Sequence, residues 1–361
     1  MLLTIGYFLG THEDWGGASR ALLNFVRSID RQRFRPIVIL TKSGALADQL
    51  DADRIDWLVW RTHDRGSNLA RYAADIWRAT RFFKEHALQI LHINLGTIGW
   101  KPAEVLAAHL LRIPVINHLH VPFGRPSSFI RYSSAVVAVS RYVADHSESL
   151  GVAKHVIHNI SDVDRFGSGV DLRRELGYAE NDVIVAFLGQ MIKVKGLELF
   201  VEIATRIADE RAKFVVAGPL RRTEDAYTEA EVHELVARDP RIRYIGYRTD
   251  VENLYATADV VVMPSQWDEP CAMVLFEAAA AGKPVVATAT GGTPEILRHG
   301  ETGFLVDRHD AAGMSQFVAQ LVGDRALRQR MGEAARYLAR ASLAVDPVRQ
   351  IEDLYSALAR K

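Results

Sequence analysis

Short apolar runs recur along the chain, separated by longer segments in which apolar and charged positions follow a helical period. Up to residue 140 the runs are LLTIGYF, PIVIL, WLVW, QILHIN, PVINH and AVVAV. Continuous apolar runs, rather than alternating ones, are what strands covered on both faces show, and intervening amphipathic helices make the sheet parallel. The passage GVAKHVIHNISDVDRFGSGV breaks this rhythm with Gly, Ser and Asp, and the rhythm then restarts with DVIVAFLG, KFVVAG, RYIGY, DVVVMPS and PVVATA. The pattern predicts an α/β protein of two doubly wound parallel-sheet domains, residues 1–164 and 165–345. The tail DPVRQIEDLYSALARK is a last helix, about residues 346–361, expected to pack back onto the first domain. Open parallel sheets bind ligands at the carboxyl ends of their strands, so the two domains are expected to face one another across a central cleft.

Composition narrows the function. A chain of 361 residues, 48% hydrophobic, suits two domains. Lys plus Arg and Asp plus Glu are equal at 44 each, which speaks against a nucleic-acid partner. The basic surplus lies in the first 150 residues and the acidic surplus in the rest. Within the basic part, RYAADIWRATRFFKEH gathers Arg71, Arg78, Arg81 and Lys84 with Tyr72, Ile76, Phe82 and Phe83. Two readings stand for it: peripheral contact with anionic lipid, or a solvated helix whose apolar side lies on the sheet. One cysteine, Cys271, excludes an intrachain disulfide and fits a reducing compartment. The start MLLTIGYFLG reads as a buried strand rather than a leader peptide, and no run reaches the ~18 apolar residues of a membrane span. The expected location is the cytoplasm, with membrane association at the inner face as a further expectation.

The chemistry concentrates in WDEPCAMVLFEAAAAGKPVVATATGGTPE, from Trp267 to Glu295. Pro270 suits a first helical turn after the strand DVVVMPS, which puts Glu269 at the helix mouth and Glu277 about two turns in. The backbone amides of Cys271, Ala272, Met273 and Val274 would then form an anion site suited to phosphate. Glu277 would chelate the two hydroxyls of a ribose, and Glu269 would hold sugar hydroxyls. The plainer alternative gives Glu269 the task of complementing the helix dipole.

The Glu-x7-Glu segment following PS, then AAGKPVVAT, GGTPEIL and GETGFLV, resembles glycosyltransferase family 4 (group 1 glycosyl transferases, retaining, GT-B fold). The match is dense from Asp182 to Arg336 and thinner before it. The resemblance implies two Rossmann-like domains, a nucleotide-diphosphate sugar donor bound mostly by the second, an acceptor bound mostly by the first, and neither metal nor other cofactor. It places Lys195, in FLGQMIKVKGLELF, at the donor diphosphate as a catalytic cation. Gln190 stands where the family usually has arginine, and Lys193 is a candidate to compensate. Cys271 and Ala272 replace the family's usual Phe-Gly pair, while backbone amides donate whatever the side chain. The pair Gly16-Gly17 matches glycines that approach the donor phosphate or acceptor, flanked by His12 as an acceptor contact. In PVINHLHVPFG, His120 best matches the active-site histidine, with His118 as the competing assignment. Asn159 and Asp164 fall in the interdomain turn and read as structural. The pairs Asp51 to Asp53 and Asp162 to Asp164 imitate a metal motif but end no buried strand, so they too read as structural.

The sequence therefore predicts a retaining hexosyltransferase, with Lys195, Glu269 and His120 catalytic, acting on a glycan, lipid-linked or small-molecule acceptor in polysaccharide biosynthesis. Two alternatives remain: a nucleotide-sugar epimerase of the same fold, and a non-catalytic nucleotide-sugar binding subunit.

Overall fold

Val115–Leu119, Ala135–Ala138, Val183–Leu188, Val260–Met263 and Val285–Thr288 are strands buried at every position, as helices covering both faces of a sheet require. The computed structural model describes residues 2–9, 17–60, 69–95, 102–122, 131–148 and 151–360. It divides into two units, Met1–Ile160 with Asp346–Lys361, and Ser161–Val345.

In unit 1 the strands are β1 (Leu3–Leu9), β2 (Phe34–Leu40), β3 (Asp56–Val59), β4 (Ile90–Leu95), β5 (Val115–Leu119), β6 (Ala135–Ala138) and β7 (Lys154–Val156). Its described helices before residue 160 are α1 (Gly17–Ser28), α2 (Ala45–Ala52), α3 (Leu69–Glu85), α4 (Pro102–Leu110) and α5 (Arg141–Asp145). Among the described residues they form one seven-stranded sheet in the order β3-β2-β1-β4-β5-β6-β7, every neighbour pair parallel.

Unit 2 carries α6 (Val163–Gly167), β8 (Val183–Leu188), α7 (Leu197–Arg206), β9 (Ala212–Ala217), α8 (Glu229–Val236), β10 (Ile242–Tyr244), α9 (Val251–Thr257) and β11 (Val260–Met263). It continues with α10 (Met273–Ala281), β12 (Val285–Thr288), α11 (Thr293–Ile296), β13 (Gly303–Val306), α12 (Ala311–Gly323) and α13 (Arg325–Leu338). Its described strands form a parallel sheet of six in the order β10-β9-β8-β11-β12-β13. The chain closes with α14 (Asp346–Leu358), which belongs to unit 1. There Glu352 accepts from the Asp30 amide at 2.8 Å and pairs with Arg33 at 3.0 Å.

Both sheets reverse their winding once, between β1 and β4 in unit 1 and between β8 and β11 in unit 2. Loops leave such a switch point in opposite directions, which opens a crevice at the strands' carboxyl ends. The stretches holding Gln190, Lys195 and Glu269 follow β8 and β11, so the topology of unit 2 brings them together.

Three local expectations differ from the structure. Strands β7 and β13 are short, and KHV lacks an apolar run, so the pattern did not mark them. The helix after β11 begins at Met273 rather than at Pro270, because residues 264–272 form a loop bonded to the neighbouring turns. Glu277 is consequently about one turn into α10, not two. In α3, Phe82 and Phe83 are core residues, and the exposed apolar side chains are Leu69 and Trp77.

Candidate functional site

The unit 2 site is assembled by backbone contacts between the loops after β8 and β11. A 3-10 turn, Lys193–Lys195, ends at Gly196 with φ +80. A Cβ on Gly196 would meet the Pro264 carbonyl oxygen at 2.0 Å, so only glycine lets the two loops close to this distance. Gln266 N donates to Val194 O at 2.7 Å and completes the junction. Lys195 Nζ then reaches Glu269 Oε1 at 2.6 Å, and Ser265 Oγ donates to the same oxygen. The ammonium also lies over the Trp267 ring, 5.2 Å from its centroid. Glu269 is 3% exposed, so this carboxylate is held in the protein by charge-assisted bonds rather than by water.

A second glycine fixes the loop from the other side. Gly291, at φ +54, sits where a Cβ would meet Glu269 O at 2.2 Å, and the next amide, Gly292 N, donates to that oxygen at 2.7 Å. This accounts for the Gly-Gly pair of GGTPEIL.

Helix α10 starts without a side-chain cap, since its N-cap is Ala272. Met273 and Val274 are its first two residues, where amides have no intrahelical acceptor, and Leu275 N turns back to Ala272 O at 3.1 Å. Cys271 is buried just before the cap. Glu277 is also buried, 4% exposed, and accepts from Tyr255 OH of α9 at 2.7 Å. Gln190 lies two residues past β8, and its side-chain amide faces the Arg221 guanidinium, whose N–H groups assign the amide oxygen to their side.

In unit 1 a polar column rises along the strands. Ile116 of β5 is followed on the same face by His118 and His120, and Ile90 of β4 by His92 and Asn94. His120 lies just past the end of β5. Its Nε2 is 2.9 Å from Asn94 Oδ1, and Asn94 Nδ2 donates to Ala18 O, beside Gly17 at the start of α1. An amide oxygen only accepts, so His120 Nε2 carries the proton and Nδ1 is a lone-pair acceptor.

The same reasoning assigns the buried chain behind it. Tyr355 OH of α14 donates to Tyr7 OH at 2.8 Å, so it accepts from His92 Nδ1 at 2.7 Å. His92 Nε2 is then an acceptor for His118 Nδ1–H at 3.1 Å, which leaves His118 Nε2 as a buried lone pair without a partner. His118 stacks on His120 with centroids 4.6 Å apart. Burial lowers the pKa of His92 to about 3 and of His120 to about 4, and holds His118 well below the usual range. All three are neutral near pH 7. His120 is therefore a hydrogen-bonding group there and not an imidazolium.

His12 and Gly16 lie outside the described residues. The aspartate pairs have structural partners: Asp51 accepts from Trp57 Nε1, Asp53 pairs with Arg27, and Asp162 caps α6. Among the described residues no group of three or more His, Cys, Asp or Glu is placed to hold a metal ion, and no helix is long and apolar enough to cross a membrane. Sequence reasoning did not find Asn94, Ser265, Trp267 or Tyr355. Asn94 had a signal, a polar residue at the carboxyl end of a buried strand. Tyr355 had none, being one more aromatic on an amphipathic helix.

Two family models match the chain: Glycosyltransferase Family 4 over residues 15–165 and Glycosyl transferases group 1 over residues 171–337. The D-inositol 3-phosphate glycosyltransferase of Corynebacterium efficiens is 29% identical over 296 residues, 72% of this chain and 68% of that one. The N-acetyl-alpha-D-glucosaminyl L-malate synthase of Bacillus anthracis is 29% identical over 271 residues, 69% of each. The Anabaena protein HepE, crystallised with UDP, shares the fold, with a TM-score of 0.83 at 22% identity over 98% of this chain and 100% of that one.

Proposed function

We propose that this chain, which belongs to glycosyltransferase family 4, transfers a hexose-type sugar from a nucleotide-diphosphate donor to a hydroxyl acceptor with retention at the anomeric carbon. The observation that carries the proposal is the junction of Lys195, Glu269 and the uncapped start of α10 at the switch point of unit 2. A cation and helix amides there match a diphosphate, and a buried carboxylate beside them matches sugar hydroxyls. The two curated relatives are named for sugar transfer, and HepE was crystallised with UDP, which favours a nucleotide sugar as donor here.

On this reading the bond from the anomeric carbon to the β-phosphate oxygen breaks as the acceptor oxygen bonds to that carbon on the same face. The acceptor's proton leaves with the departing phosphate oxygen. Lys195 and the amides of Met273 and Val274 stabilise the charge that grows on the diphosphate. Glu277 addresses the ribose, Glu269 positions the sugar, and His120 offers sugar hydroxyls a neutral acceptor nitrogen. Gly17 belongs to the same assignment as a close-approach residue. No step calls for a metal ion or cofactor.

Incubating the protein with a panel of nucleotide sugars and polyol acceptors, followed by proton NMR of the product, tests this directly. The expected product keeps the donor's anomeric configuration, and its yield is unaffected by a chelator. An inverted product, or a new donor isomer formed without acceptor, would remove the proposal.

Unit 1 serves the acceptor, and its α3 presents Trp77, 62% exposed, and Leu69, 86% exposed, among Arg71, Arg78, Arg81 and Lys84. This composition fits a peripheral contact with anionic lipid that would deliver a lipid-linked acceptor. Flotation with anionic liposomes at low salt should show binding that reversing the charge of Arg78 and Arg81 abolishes; absence of binding by the unmodified protein would rule the contact out.

A further inference from the structure

The loop after β8 is fastened to the loop after β9 along its length. Met191 N donates to Pro219 O at 3.0 Å, Lys193 N to Asp225 O at 2.9 Å, and Tyr227 N to Met191 O at 3.0 Å. Met191 also pairs with Leu220, and Ile192 with Ala226. Arg221 thus springs from a backbone held on both sides against the segment that carries Gln190 and Lys195. Its guanidinium turns to the Gln190 side-chain amide; two N–H donors face that amide, which assigns its oxygen to their side, where it accepts from Nη2 at 2.5 Å and from Nε at 3.2 Å.

A carboxylate in that position would offset the guanidinium charge, as Glu269 does for Lys195. A carboxamide orients the planar group and brings no charge of its own to that contact. The arrangement places a second cation at the carboxyl end of β8, supplied by the neighbouring loop rather than by residue 190 itself.

We propose that Arg221 is a donor-binding residue that meets the diphosphate of the nucleotide sugar, and that Gln190 is its positioning residue. The assignment rests on the donor reading given above and deepens it. It also changes what an arginine at position 190 would do: it would face the Arg221 guanidinium and repel it.

Calorimetric titration with UDP, GDP, ADP and dTDP, and with the matching monophosphates, tests the assignment in the full chain. For whichever diphosphate the unmodified protein binds best, Arg221→Ala should weaken binding about tenfold to a hundredfold, the scale of one charged hydrogen-bonding group. The monophosphate should lose no more than about threefold, because only the β-phosphate contact is removed. Arg221→Lys, which keeps the charge without the fork, should fall between, and it also guards against a folding defect in the alanine variant. Equal binding of the diphosphate by Arg221→Ala and the unmodified protein would overturn this inference alone, as would equal losses for mono- and diphosphate. Failure of the unmodified protein to bind any diphosphate would overturn the donor reading itself, and the inference with it.

Discussion

Lys195 and Glu269 form an ion pair at 2.6 Å, and this pairing was not legible in the sequence, where 74 positions separate them. The residue types were legible, because the motif around each is local. Their contact depends on the left-handed turn at Gly196 and on the approach of two loops, which no linear pattern records. The pairing has an energetic consequence. Lys195→Ala leaves Glu269 buried without its cation, and a broken buried pair costs about 3–5 kcal/mol, less here because Lys195 is partly exposed. Adding Glu269→Gln removes the stranded charge, so urea unfolding should show the double variant more stable than Lys195→Ala. Turnover should not return with it, since the cation at the diphosphate is still missing. His120 shows the complementary case: the sequence indicated the histidine, but its tautomer is set by Asn94 and its neutrality by burial.

At the scale of elements, the Gly-Gly turn before α11 and the closing helix α14 each support a site from outside it. Gly291→Ala requires a non-glycine residue at φ +54 and a Cβ overlapping Glu269 O. The expected cost is about 1–3 kcal/mol from the backbone conformation, with the overlap added. The carboxylate loop should shift with it, so donor KM should rise; an unchanged KM with lowered stability would make the turn purely structural. In unit 1, Tyr355→Phe removes the acceptor of His92 Nδ1–H and the donor to Tyr7 OH. Stranding such buried groups costs about 1–3 kcal/mol. Tyr7→Phe should therefore cost less in the Tyr355→Phe background than alone, and a denaturant double-mutant cycle reads that coupling directly. Element type and order were legible wherever apolar runs were long. They were not legible for β7 and β13, whose three- and four-residue spans are fixed by pairing with β6 and β12.

For the whole molecule, the two parallel sheets follow from the alternation of buried strands and amphipathic helices, and the location of the proposed donor site follows from the winding reversal of unit 2. The internal histidines of unit 1 add a pH signature that the sequence does not carry. Their folded pKa values lie below the ordinary value, so between pH ~6.5 and the folded values the unfolded chain binds more protons than the native one. Stability contributed by keeping them neutral is complete above pH ~6.5 and is lost progressively as the pH falls toward about 4 for His120 and about 3 for His92. Urea unfolding from pH 7 to 4 should show this loss, and His118→Asn should make it shallower. Lys195 is proposed to carry charge from the departing diphosphate, and phosphorus NMR of nucleoside diphosphate release at saturating nucleotide sugar measures that role. Lys195→Ala, compared at equal folded fraction, should release diphosphate roughly 10²–10³ times more slowly than the unmodified protein, as for loss of one preorganised donor at a developing charge; an unchanged rate at saturating donor would contradict the account.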